Sequence, residues 1–308
     1  MKACIDIGGT KIAVSLNTGA GLDLVARRSE PTAKTGENDA VARQVIRMVD
    51  EACAEAGVAP STVQRCGVSS AGPFVLNAGL VELATPNICG GIAGPARGLP
   101  NTWMTATLEA PLRRRFTQGV RVENDAVSAL EAERRWGALQ GYEHCAYVTW
   151  STGVGMGLCV DGHVLRGKNG NAGHGGHMFV SDNNDALCGC GNIGDLEALV
   201  AGNAVARRFG ADAATLMQKA RAGDAAAMVV VEELCRIMGR ALYNATVLLD
   251  LQRISLGGSV FLHNQEMLLP RLAKEMAGKL PALTNGCDLV PAGLADKVGD
   301  YAALALVV

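Results

Sequence analysis

The chain has 308 residues, 49% of them hydrophobic, with 38 glycines and a formal net charge of −2 from 28 basic and 30 acidic side chains. That length admits two domains or one large one. The near-neutral balance lacks the basic footprint of a nucleic-acid or membrane-surface binder, and no apolar run reaches transmembrane length. The ten cysteines are not arranged as a disulfide framework. Cys4, Cys53, Cys66, Cys145, Cys159 and Cys235 each sit alone in an apolar segment, the pattern of buried free thiols. A strand follows Met1-Lys2 at once, so no signal peptide is expected and a cytoplasmic location is.

In chain order, residues 3–7 read as a strand, Gly8-Gly9-Thr10 as a turn and residues 12–16 as a second, alternating strand. Residues 22–28 add a third. Val41, Val45, Ile46 and Val49 then fall at helical spacing within residues 38–56, and Gly57 ends that helix. Residues 63–69 form a buried strand running into Ala71-Gly72-Pro73. Near residue 118 the same programme is expected to restart, with a strand at 120–123, a helix at 125–136, and strands at 145–150 and 156–160 around Ser151-Thr152-Gly153-Val154-Gly155. A long apolar helix at 225–250, a strand at 253–256 and a helix opened by Gly257-Gly258-Ser259 follow. The strand–glycine turn–strand device occurs twice, which predicts two related halves facing a cleft.

Three places carry chemistry. In Asp6-Ile7-Gly8-Gly9-Thr10-Lys11, glycine N–H groups can approach phosphate oxygens, while Thr10 and Lys11 add a hydroxyl and a positive charge. Asp6 can hold magnesium through water. A plain hairpin uses the same residues, but Ser151–Gly155 repeats the device in the second half, and two such turns would cradle a triphosphate. Glu123-Asn124-Asp125 ends a strand and opens a helix, where side chains project into a crevice. Asp125 or Asn124 can simply cap that helix. Asp125 can also accept a proton from a substrate hydroxyl, since a helix N-terminus favours the ionised carboxylate, and the two roles coexist.

The third place runs from His174 and His177, at i,i+3 spacing, through Cys188-Gly189-Cys190-Gly191 to Asp195 and Glu197. Imidazole and thiolate are ligands that zinc prefers, and four groups of this run can close a tetrahedral site.

Together these pieces resemble the ROK family (repressors, open reading frames, kinases) of the actin/hexokinase-like ATPase superfamily. The resemblance runs through Asp6–Lys11, Ser70-Ala-Gly-Pro73, Thr85-Pro-Asn87, Glu123–Asp125, Ser151–Gly155, Gly173–His177, Cys188–Gly194, Gly257–Ser259 and Gly299-Asp-Tyr-Ala-Ala303. It implies an α/β, two-lobed actin-like ATPase (ribonuclease H-like) fold with a cleft between the lobes. Residues 1–118 with 297–308 would form the small lobe, and 119–296 the large lobe with the zinc loop.

The activity implied is an ATP-dependent, magnesium-requiring sugar kinase of the glucokinase type acting on the 6-hydroxyl, in a homodimer. Asp125 would be the catalytic base, and Asn87, Asn124, His174, His177 and Glu197 would bind the sugar. Gly8, Gly9, Thr10, Lys11, Thr152 and Gly153 would meet the phosphates, with Gly257 and Gly258 beside the adenine. Zinc would be structural, held by His177, Cys188, Cys190 and Asp195.

Two positions depart from the family pattern. Asp195 stands where a third cysteine is usual; it can ligate zinc, as a harder donor. His174 stands where the family usually has Glu, which removes an acceptor and adds an N–H donor suited to an N-acetyl carbonyl. N-acetylmannosamine kinases resemble the chain in carrying His there, so an N-acetylhexosamine is the alternative substrate. A non-catalytic, sugar-sensing ROK regulator is the rival from another class. Such repressors place a winged helix-turn-helix ahead of the first strand, which here begins at Ala3.

Overall fold

The structure is a computed structural model that describes residues 1–19, 21–94, 97–182 and 186–308. The chain forms two compact units. Unit 1 comprises residues 1–132, 166–171 and 299–308, and unit 2 comprises 133–165 and 172–298.

The first segment runs β1 (Lys2–Ile7), β2 (Lys11–Asn17), β3 (Leu24–Pro31), α1 (Ala40–Glu55) and β4 (Arg65–Ser70). Then come β5 (Phe74–Asn77), β6 (Leu80–Leu83), the short α2 (Gly90–Ala93), β7 (Ala106–Thr107), α3 (Glu109–Arg115), β8 (Val120–Asn124) and α4 (Asp125–Trp136). The second segment begins with β9 (Cys145–Trp150), β10 (Val154–Val160) and β11 (His163–Val164). Four helices follow: α5 (Leu196–Val200), α6 (Gly202–Phe209), α7 (Ala213–Arg221) and α8 (Ala225–Leu249). β12 (Arg253–Gly257), α9 (Ser259–Leu262), α10 (Gln265–Met276), α11 (Pro281–Thr284), β13 (Asp288–Pro291) and α12 (Val298–Ala305) complete the chain.

The two large sheets share one plan. In unit 1 the order is β3-β2-β1-β4-β8, and in unit 2 it is β11-β10-β9-β12-β13. In each, a three-strand antiparallel meander is continued by two parallel strands. This is the duplicated sheet of the expected actin-like ATPase fold. The repeat begins elsewhere than the sequence suggests, however. The strand at residues 120–124 does not open the second half. It is β8, paired in parallel with β4 as Val68↔Val122 and Ser70↔Asn124, and the second half starts at β9. A short apolar strand fits either sheet. The crossover through α3, which returns the chain beside β4, decides the matter.

Local chemistry explains the main helices. α1 buries Val41, Val45, Met48, Val49 and Ala52 on one stripe, and Gly57 (φ 67°) lets the chain turn out after it. The 25-residue α8 is capped by the Asp224 side chain on the Ala227 N–H and stops at Asp250, which is left-handed. It buries Val231, Leu234, Met238 and Leu242 in the core of unit 2, where its main helix neighbours are α10, α7 and α5. Truncating such a leucine costs about 2–5 kcal/mol. Unit 1 has its own core around Ile5, Ile7, Val14, Val45 and Val68. The C-terminal segment belongs to it, because Gly67 of β4 meets the Ala303 carbonyl so closely that no Cβ fits. The six cysteines read as buried thiols are buried, and burial pushes Cys4, Cys145 and Cys235 up to about 12. Among the described residues, no helix is long and apolar enough to cross a membrane.

Candidate active site and metal centre

In unit 1 the parallel strands β1, β4 and β8 end side by side at Ile7, Ser70 and Asn124. Ligands of open α/β sheets bind at such carboxyl ends. Three predicted features follow these ends: the Gly8–Lys11 turn, Ala71-Gly72-Pro73, and Asn124-Asp125. The first turn is closed by Gly8 N–H donating to the Lys11 carbonyl at 2.9 Å, with Thr10 and Lys11 exposed. Gly9 is glycine for a packing reason, since a Cβ there would lie 2.8 Å from Asn87 Cβ. The candidate phosphate turn therefore rests on a candidate sugar residue. Asn87 is exposed, and its Oδ1 accepts from Arg97 at 2.8 Å. Nothing in the sequence ties Arg97 to Asn87.

At the β8–α4 corner, Asn124 is buried and Asp125 is exposed. The Ala126 N–H donates to Asn124 Oδ1 at 3.1 Å and to Asp125 Oδ1 at 2.8 Å, so both side chains cap the helix. Capping is thus the role the geometry shows for both side chains, at the exposed corner where a substrate hydroxyl is expected. Burial, and after it the Asp125 carboxylate, pushes the Asp6 carboxyl up to about 6, against the pull of Lys11 and Arg27. For Asp6 the two cations do not offset burial and the neighbouring acid. A cation brought by a ligand fits such a place.

Unit 2 repeats the device. A Cβ on Gly153 would lie 2.6 Å from Glu197 Oε2, and that oxygen accepts the Val154 N–H at 2.9 Å. Again a glycine turn is packed on a residue predicted to bind sugar. Thr152 is exposed at the tip. Ser151 and Ser259 hydroxyls lie 2.9 Å apart and bring this turn beside Gly257-Gly258. Gly258 (φ 85°) packs on the Trp150 backbone, where a Cβ would meet atoms 2.5 Å away. Gly257 lies under the Tyr147 hydroxyl. Glycine is required at both.

The histidine–cysteine run folds so that His177, Cys188, Cys190 and Asp195 place one ligand atom each within 4.8 Å of one another. Asp195 Oδ2 is 3.0 Å from His177 Nδ1 and 3.5 Å from Cys190 Sγ, and Cys188 Sγ is 3.8 Å from Nδ1. Tetrahedral bonds of about 2.0–2.3 Å imply ligand separations of roughly 3.3–3.8 Å; the contacts at 3.5 and 3.8 Å fall in that range, and the 3.0 Å hydrogen bond between His177 and Asp195 would have to open slightly around zinc. His174 stands outside the four, 6.1 Å from His177 between ring centroids. The pair lies not on an α-helix but around a single 3₁₀ turn, Gly175–His177.

Asp195 has a role that its sequence position did not reveal. Oδ1 caps α5 through the Ala198 N–H at 2.8 Å, while Oδ2 faces the cluster and also accepts from Asn192 Nδ2 at 3.3 Å. Burial alone would raise this carboxyl, but His177, the Ala198 N–H and Cys188 hold it down at about 2. The same bond raises His177. Burial keeps the Cys188 thiol well above its ordinary value, so a metal bound there would displace a proton. Cys188 Sγ also reaches Glu197 Oε1 at 3.7 Å, which links the cluster to the Gly153 turn through one carboxylate.

Comparison with known proteins agrees with this geometry. A glucokinase of Aeropyrum pernix is 27% identical over 98% of this chain and 95% of its own. An N-acetylmannosamine kinase of Salmonella typhimurium is 32% identical over 83% of this chain and 82% of its own. The crystal structure of a ROK hexokinase from Thermus thermophilus covers 99% of the chain and 97% of its own at 31% identity, with a TM-score of 0.78. The ROK family model matches residues 2–308, and the chain belongs to the ROK family.

Proposed function

We propose that this protein is an ATP-dependent sugar kinase that transfers the γ-phosphate to the 6-hydroxyl of a hexose. The observation that carries the proposal is the row at the carboxyl ends of β1, β4 and β8: an exposed Asp125, an acid partner in Asp6, and a glycine turn bearing Thr10 and Lys11. Asp125 takes the proton from the 6-hydroxyl and aims its oxygen at phosphorus, worth about 10²–10⁴-fold in rate. Asn124 and Asn87 hold neighbouring hydroxyls. Gly8, Gly9, Thr10 and Lys11 bind phosphate oxygens in unit 1, as Thr152 and Gly153 do in unit 2, and Gly257 and Gly258 border the base. Magnesium, when bound with ATP, neutralises charge developing on the transferred group, and Asp6 is the residue of this chain suited to hold it through water.

In unit 2, His177 binds the sugar with the nitrogen that does not face the cluster, and Glu197 accepts from a hydroxyl. Zinc at His177, Cys188, Cys190 and Asp195 is structural: it fixes the ring of His177 and the loop around it. Glucose is the default sugar. N-acetylmannosamine is the specific alternative, supported by His174, whose N–H suits an N-acetyl carbonyl, and by the likeness to the Salmonella enzyme. ADP release measured with glucose, mannose, N-acetylglucosamine, N-acetylmannosamine and fructose decides between them. Absence of release with every sugar, alongside measurable sugar binding, would favour a sugar-sensing regulator.

A further inference from the structure

The corner that presents Asp125 is tied by charges outside the residues assigned above. β8 ends at Asn124 and α4 starts at Asp125, so the backbone changes direction at the proposed base. Glu123 lies just before this corner and Glu131 on the second turn of α4, with side chains only 6% and 14% exposed. Two carboxylates so placed are costly unless paired.

The pairing comes from far along the chain. Arg166 opens the six-residue segment 166–171 that belongs to unit 1. Its Nε donates to Glu123 Oε1 at 2.6 Å and its Nη2 to Glu131 Oε1 at 3.1 Å. One rigid guanidinium fork thus spans strand end and helix, a geometry that lysine cannot copy with a single ammonium. The far end of the segment is fastened too. Asn171 Oδ1 accepts from the Phe74 N–H, and its Nδ2 donates to the Phe74 carbonyl, both at 2.8 Å. Arg121, on β8 itself, makes a second bridge to the same two carboxylates, at 3.2 and 2.8 Å.

We propose that Arg166 is a positioning residue for phosphoryl transfer: by fastening Glu123 of β8 to Glu131 of α4 it fixes the direction in which Asp125 leaves the corner. This rests on Asp125 being the base. Proton transfer requires its acceptor within about 0.5 Å and 10–20° of the productive geometry, whereas sugar binding is spread over several hydroxyl contacts. Loss of Arg166 therefore acts on turnover more than on affinity. Arg121 remains, so the corner loosens rather than comes apart.

The experiment compares the full chain with Arg166→Met, Arg166→Lys, Glu131→Gln and Asp125→Asn, on the sugar that gives most ADP release, well below each protein's Tm. Arg166→Met is expected to lose about tenfold in kcat with sugar KM changed less than about twofold. Arg166→Lys, whose single ammonium can hold one carboxylate but not span both, should stay within about threefold of Arg166→Met. Glu131→Gln removes one anchor without touching Arg166, and should lower kcat in the same way; it carries the test if Arg166→Met does not fold. A lowered Tm with unchanged kcat, in either variant, overturns the proposal and leaves a merely structural brace. Asp125→Asn separates the two levels. If it retains near-normal turnover, the base assignment fails. If it is inactive while Arg166→Met and Glu131→Gln turn over normally, only the positioning role fails.

Discussion

Asp6 of unit 1 and Asp195 of unit 2 are both set at element ends in candidate sites, yet their charges are handled in opposite ways. Asp195 is met from within the fold: a backbone N–H, a histidine ring and two thiols surround it, and its carboxyl sits at about 2. Asp6 is raised first by burial and then by a second acid, which outweigh Lys11 and Arg27, and its carboxyl sits at about 6. A carboxylate compensated by its own chain serves structure, or a metal that stays. One left short of positive charge marks where a charged ligand arrives. The contrast supports the proposal of zinc at the Asp195 cluster and of the magnesium–nucleotide beside Asp6 and Asp125.

Several substitutions break or sharpen that contrast. The largest effect is expected on the unbalanced side. Asp125→Asn should reduce kcat by about 10²–10⁴-fold with sugar binding retained, measured by ADP release and titration calorimetry; near-normal turnover would remove Asp125 from catalysis. On the balanced side, Cys188→Ser should abolish bound zinc and raise sugar KM by roughly 10–100-fold, acting through the orientation of His177. Elemental analysis should find about one zinc per wild-type chain. A zinc-free protein of full activity, indifferent to chelators, would end the metal assignment. Smaller still is the specificity effect of His174→Glu, expected to move the ratio of kcat/KM for glucose over N-acetylmannosamine upward by about tenfold. An unchanged ratio would place the discrimination elsewhere.

Much of this was legible in the sequence because it is local. Gly8-Gly9, Ser151–Gly155 and Gly257-Gly258 announce tight turns by composition alone, and α1 and α8 follow from spacing. Asn124-Asp125 announces a strand-to-helix corner for the same reason. Contacts between distant residues were not legible. No pattern shows that Gly9 must make room for Asn87, that Gly153 must make room for Glu197, or that Arg166 bridges Glu123 and Glu131. The sheet to which β8 belongs depends on the crossover through α3, and an apolar strand pattern is blind to it. Asp195 is an intermediate case. Its proposed metal role is written in the neighbouring cysteines, while its capping of α5 depends on a backbone conformation (φ −71°, ψ 166°) that only the fold reveals.

The contrast between the two aspartates is tested most directly by the thermal stability of wild type and Asp6→Asn as a function of pH, with and without magnesium and a non-hydrolysable ATP analogue. The folded chain holds the Asp6 proton up to about pH 6, while the unfolded chain releases it near the ordinary value of 3.8. Between those values the folded state binds more protons, so the contribution of Asp6 to stability falls as pH rises and stays low above 6. Asp6→Asn, unable to ionise, should therefore melt about 2–5 °C above ligand-free wild type at pH 7.5, lose that advantage near pH 4, and gain little from the magnesium–nucleotide that stabilises wild type. An Asp6→Asn protein less stable than wild type at pH 7.5, with an undiminished magnesium-dependent gain, would contradict the account.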